Sequence, residues 1–265
     1  MNIRACFLAA AVLMVGGCRS IPETAKKVNE AVKVPEYFTA VFDEGTKVDV
    51  YGAFELRDVR FTPCSTFKIV STLMGLDCHI VHNTGSRLGY DGSQYENPAW
   101  NRDLTLEEAF RLSCVPYYKK LTGKLNKDYV QDILDCLEYG NCDISVWNSN
   151  GHNVFWIESS LLISPWEQIR VLKKIFSDSS PFKPEHVSMV KVCMKNGSAG
   201  PWTIYGKTGT GRNHNRNLLE GWFVGFAENT DGRTVYFAAH GADSKRDVSS
   251  PEIRTAVEKI LEDMP

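Results

Sequence analysis

Several things are scarce in this chain, and each scarcity excludes a class of function. Its 30 Lys and Arg against 32 Asp and Glu leave a formal charge of −2 with no basic stripe, so nucleic acid is not an expected partner. None of its eight cysteines stands in C-x-x-C and its six histidines do not cluster, so no metal is expected. There is no internal repeat and no low-complexity tract. The N-terminal apolar run from Cys6 to Val15 is too short to span a bilayer comfortably.

What is present suits one large domain or two intimately packed lobes, since 265 residues with 43% hydrophobic content can bury a substantial core. The opening "MNIRACFLAAAVLMVGGCRS" has a positive start at Arg4, an apolar stretch and small residues before Cys18, the build of an export signal over residues 1–18. Val15-Gly16-Gly17-Cys18 resembles a bacterial lipobox, which would make Cys18 the lipid-modified first residue of the mature protein. Residues 19–36, polar and proline-flanked, read as a tether, leaving a folded domain over 37–265. The expected location is outside the cytoplasm, periplasmic or at the cell surface, with membrane contact only through that anchor.

Cys6 would leave with the signal, so six cysteines remain besides Cys18: Cys64, Cys78, Cys114, Cys136, Cys142 and Cys193. Export permits disulfides, and Cys136 and Cys142 are the one close pair. Equally, several can be buried thiols acting as small hydrophobes.

Strand patterns open the domain at "EYFTAVFDE" and "KVDVYGA" and close it at "PWTIYGKTG", "GWFVGFAE" and "RTVYFAAHGA". Helical patterns lie between, with capping boxes at Thr105/Glu108 and Ser164/Glu167, and a last helix carries Ile253, Val257, Ile260 and Leu261 on one side. Successive closing strands joined by short turns favour an antiparallel sheet of five to seven strands in an α+β arrangement. Helices from both ends flank it, and an all-helical lobe is inserted over roughly 78–180.

Within this frame "TPCSTFKIVSTLMGL", Thr62 to Leu76, puts a lysine three residues after a serine in apolar surroundings. Thr62 reads as an N-cap and Pro63 as the first helical residue, which places Ser65 in the first turn and Lys68 on the same face. S-x-x-K occurs three times. Ser180/Lys183 lies in a loop pattern, and Ser188/Lys191 is on a helix whose lysine reaches water. A serine hydroxyl needs a neighbouring base to act as a nucleophile. A free lysine is almost wholly protonated, but burial disfavours its charged form. The neutral amine then has two uses: taking the serine proton itself, or capturing carbon dioxide as a carbamate.

Further along stand Ser113-Cys114-Val115, Tyr139-Gly140-Asn141, Trp156 in "VFWIESS", Lys207-Thr208-Gly209 and "GWFVGF" from Gly221. Together with P-x-S-T-F-K, these motifs in this order resemble the class D β-lactamases, the oxacillinase type of serine penicillinase, over nearly all of the chain from Tyr37. S-x-x-K and K-T-G also mark related penicillin-binding proteins. Y-G-N, the valine of S-x-V and the tryptophan motif single out class D.

The resemblance implies an acyl-enzyme on Ser65, with Lys68 carboxylated by CO2 as general base and the Trp156 indole holding the carbamate. CO2 or bicarbonate is the only added group implied, and no prosthetic group. Val115 would keep the lysine pocket dry. Ser113 would relay a proton to the lactam nitrogen, helped by Lys207, and Lys207 and Arg254 would attract the substrate carboxylate. Thr208, Gly209 and Thr210 would line the substrate, with the N–H groups of Ser65 and Thr210 as oxyanion hole. Y-G-N reads as structural. Each residue also has a plain reading: a core tryptophan, a helix-terminal serine, an exposed strand lysine, a surface arginine.

Departures from the family pattern are Cys64 and Cys114 at positions lining the site, Ser159 where many relatives have glycine, and Thr210 with Gly211 after K-T-G. Two rival functions share the serine chemistry: a β-lactam sensor ectodomain, and a D-alanyl-D-alanine peptidase that acylates without efficient turnover.

Overall fold

The computed structural model describes residues 34–148, 153–157, 159–212 and 218–264. The signal, Cys18, most of the tether and any helix preceding the first strand lie outside the described residues.

Apolar residues alternate along β1 (Tyr37–Asp43): Phe38, Ala40 and Phe42 join one core and Val41 the other. With β2 (Val48–Gly52), β3 (Lys195–Ala199), β4 (Trp202–Arg212), β5 (Leu219–Glu228) and β6 (Thr234–Ala242) it forms a six-stranded sheet in the order β2-β1-β6-β5-β4-β3. Every pairing is antiparallel. Strand β5 is buried from Glu220 to Ala227, so this sheet is covered on both faces and the fold is α+β as expected.

Seven α-helices are described. The last, α7 (Ser250–Glu262), lays Ile253, Ala256, Val257, Ile260 and Leu261 on one face, against Ile204, Phe223 and Phe237. On the other face lie α1 (Lys68–Asp77), α5 (Pro165–Ile175) and α6 (Pro184–Met194). Helices α2 (Leu106–Arg111), α3 (Val115–Thr122) and α4 (Lys127–Leu137) complete that side. Both expected capping boxes form, at Thr105/Glu108 and Ser164/Glu167.

Two details differ from the sequence expectation, and a third resolves a question that the sequence left open. The helix after Thr62 opens as a 3-10 turn, Cys64–Phe67, with no side-chain cap, and α-helix begins only at Lys68. Thr62 is drawn elsewhere: its carbonyl accepts the Trp222 indole N–H at 3.0 Å. Strand β3, "KNGSA", has no apolar alternation, because it is a short edge strand interrupted by a bulge between Lys195 and Ser198. All six described cysteines are free thiols, and Cys142 points its sulfur at the Leu134 carbonyl instead of closing a loop with Cys136.

Candidate active site

The turn Cys64–Phe67 is pinned on both sides. Thr66 donates to the Pro63 carbonyl at 2.7 Å and accepts from Gln168 of α5 at 2.9 Å. Strand β4 passes tightly beside it: a Cβ on Gly209 would lie 3.2 Å from the Pro63 carbonyl and 3.1 Å from the Thr66 methyl, so the glycine of K-T-G is what lets the strand approach. Cys64 itself sits at φ 49°, a left-handed conformation unusual for a side chain with a Cβ and a form of strain that accumulates at functional sites.

This turn presents Ser65 to Lys68. The two polar atoms, Oγ and Nζ, are 2.7 Å apart, and Lys68 is wholly buried. Burial, reinforced by the nearby Lys207, holds the amine well below the usual lysine range. Two rings wall it in, Trp156 at 4.6 Å and Tyr118 at 5.1 Å from Nζ to the ring centre. Such faces favour a cation by about 0.5 to 2 kcal/mol. Complete burial acts the other way, and the net result is that the charged form is disfavoured relative to a free lysine.

Trp156 reaches this pocket through a clamp built by Tyr139-Gly140-Asn141. Asn141 accepts the Leu162 N–H at 2.9 Å and donates to the Ser160 carbonyl at 2.8 Å. Gly140 is at φ 57° and a Cβ there would fall 1.8 Å from the Leu162 carbonyl oxygen, so no other residue fits. Tyr139 meets Phe67 edge-on with ring centres 5.5 Å apart. The Trp156 indole N–H is buried and has no hydrogen-bond partner among the described residues, a costly state for a buried donor unless an acceptor joins it.

Ser113 lies between α2 and α3 at φ 54° and accepts from Lys207 Nζ at 3.1 Å. Lys207 is 3% exposed and donates also to the Thr208 carbonyl at 2.9 Å. Burial lowers its amine to about 7. Thr208 and Arg254 line the same cavity as Lys207, about 380 Å³ in volume. Arg254 is occupied within it, donating to Glu258 at 2.7 Å and to the Asn196 side chain at 2.8 Å. Thr210 is exposed on β4. Val115 opens α3 half-buried and lines a separate groove with Tyr95, Trp100 and Lys119.

Trp156 and Tyr118 are thus two walls of the lysine pocket, and Val115 packs against the same core cluster as both. Tyr118 was not singled out from the sequence; its place three residues after Val115, on the same helical face, was the available signal. Its hydroxyl lies 2.7 Å from that of Thr72, which in turn donates to the Lys68 carbonyl.

The chain matches the penicillin binding protein transpeptidase domain over residues 29–262. It is 40% identical to the probable β-lactamase YbxI of Bacillus subtilis, over 67% of this chain and 64% of that protein. It is 34% identical to the regulatory protein BlaR1 of Bacillus licheniformis, over 75% of this chain but 32% of that protein, so it spans about a third of that relative's length. Among solved structures, FUS-1 (OXA-85), a class D β-lactamase from Fusobacterium nucleatum subsp. polymorphum, superposes with a TM-score of 0.77 at 32% identity, covering 90% of this chain and 96% of that one.

Proposed function

Because this chain belongs to the class D β-lactamases, we propose that it hydrolyses β-lactams through an acyl-enzyme on Ser65. The observation that carries the reading is the fully buried Lys68 amine 2.7 Å from the Ser65 hydroxyl. A neutral amine offers a lone pair that can take the hydroxyl proton, which is the base a serine nucleophile needs.

Ser65 Oγ attacks the lactam carbonyl carbon while its proton leaves toward the Lys68 arm. The N–H groups of Ser65 and Thr210 receive the oxyanion. The lactam C–N bond then breaks, and Ser113, in contact with Lys207, hands a proton to the departing nitrogen. Water attacks the acyl carbon in a second step and frees Ser65. Lys207 and Arg254 draw in the ring carboxylate from the cavity that they share.

Lys68 also fits carboxylation by CO2. The amine is buried with its charged form disfavoured, and the adjacent Trp156 N–H is an unmet donor suited to a carbamate oxygen. Such a carbamate would supply an anionic base on the same arm. Export, with lipid at Cys18, completes the reading; incorporation of labelled lipid that Cys18→Ala abolishes is its check.

A chromogenic β-lactam assay, run with and without bicarbonate, tests the function. Many turnovers per enzyme, with no acyl adduct by mass spectrometry in Ser65→Ala, are expected. The similarity to BlaR1 favours a second reading, acylation without turnover. One long-lived adduct per chain and no further hydrolysis would establish that reading instead.

A further inference from the structure

The cavity beside Lys207 is lined by more positive charge than one carboxylate requires. Besides Lys207 and Arg254, its walls include Arg111 at the end of α2 and Lys195 at the start of β3. Two of these four cations already have acidic partners: Arg111 with Glu107 at 2.9 Å and Arg254 with Glu258 at 2.7 Å. Lys207 is buried and its amine titrates near 7, so at neutral pH its charge is only partial. Lys195 is exposed at the rim and has no ion pair among the described residues. It stands where the edge strand bulges, just before Asn196, whose side chain and carbonyl hold Arg254 at 2.8 and 2.9 Å. A bulge of this kind redirects side chains at a sheet edge.

With a volume of about 380 Å³, the cavity holds more than a single carboxylate. In a bicyclic cephem the ring carboxylate and the exchangeable substituent sit on adjacent carbons. A ligand held by Lys207 and Arg254 through its carboxylate therefore carries its neighbouring substituent into the same cavity.

We propose that Lys195, with Arg111 on the same cavity wall, forms a second anion subsite that selects β-lactams bearing a further negative group next to the ring carboxylate. This rests on the β-lactam reading of the site and extends it to substrate preference. The subsite is open to water, so its effect is modest and sensitive to salt.

The test uses two cephalosporins with the same mandelamido side chain, one carrying an N-methyl-tetrazole leaving group and the other its N-sulfomethyl anion. The readout is the ratio of their kcat/KM values, anionic over neutral. A ratio of about three is expected at low salt, collapsing toward one as ionic strength rises. Lys195→Ala should bring it near one and Lys195→Glu below one, whereas Lys124→Ala, beyond the far end of α3, should leave it as in the parent. Equal ratios in the parent, Lys195→Ala and Lys195→Glu would overturn the subsite.

If the chain acylates without turnover, the same ratio is read from second-order acylation rates. Hydrolytic function then fails while the subsite is still judged. Absence of any acylation by either compound, or by a penicillin, would overturn both.

Discussion

Among the described residues two lysines are buried, 0% and 3% exposed, and their surroundings differ. Lys68 is enclosed by Trp156 and Tyr118 and touches one hydroxyl. Lys207 borders a cation-lined cavity and donates to Ser113 and the Thr208 carbonyl. Neither has an acidic partner among the described residues. The closed pocket disfavours the charged form of Lys68, as the proposed base requires, whereas Lys207, beside the open cavity, is lowered to about 7, which suits the proposed anion site. On the proposed mechanism the same residue type would serve opposite roles, because one site is enclosed and the other borders an open cavity.

The largest way to break this contrast is to delete the base. Lys68→Ala should lower kcat by about 10²- to 10⁴-fold, the usual worth of general base catalysis, as measured by steady-state hydrolysis. Lys207→Ala should act chiefly on KM. If the two variants had the same kinetic signature, the division of labour would fail.

Next in size is Trp156→Phe, which keeps a ring against Lys68 and removes only the indole N–H. Turnover should fall by roughly tenfold to a hundredfold, the loss of one hydrogen bond to a charged group at about 1.5 to 3 kcal/mol. Added bicarbonate should recover part of it. Full activity without bicarbonate would leave a bare amine as the base.

A structural prediction follows from the clamp that carries Trp156. Gly140→Ala places a Cβ 1.8 Å from a carbonyl oxygen at a positive φ, so it should destabilise the protein by at least about 1 to 3 kcal/mol. Thermal unfolding measures this. The variant should also make activity depend more strongly on added bicarbonate, since it loosens the wall of Lys68 and not that of Lys207.

The smallest effect is the pH response of Lys207. Its amine is charged below about 7 and neutral above, so KM for a carboxylate substrate should be lowest below that value and rise a few-fold above it. Over the same rise the fold gains stability, because an unfolded lysine near 10.4 still binds the proton that the folded one has released. A KM independent of pH from 6 to 9 would remove Lys207 from carboxylate binding.

The parts of the fold legible in the sequence were those set by local periodicity. The alternating runs at β1, β5 and β6 and the capping boxes at Thr105 and Ser164 carry their own signals. Ser65 and Lys68 were legible because three residues of spacing bring them together in either an α or a 3-10 turn. What was not legible depends on distant chain. The 3-10 opening is set by Trp222 claiming the Thr62 carbonyl across 160 residues. Strand β3 exists only because β4 offers it an edge. Tyr118 and Lys195 acquire meaning only from the cavities that the folded chain builds around them.

Carbon-13 NMR of the intact protein in ¹³C-bicarbonate tests the neutral, CO2-accepting lysine most directly. A single protein-bound carbamate resonance is expected at neutral pH, lost in Lys68→Ala, retained in Lys207→Ala, and disappearing on acidification together with activity. A fully active enzyme with no such resonance, or one that persists in Lys68→Ala, would contradict it.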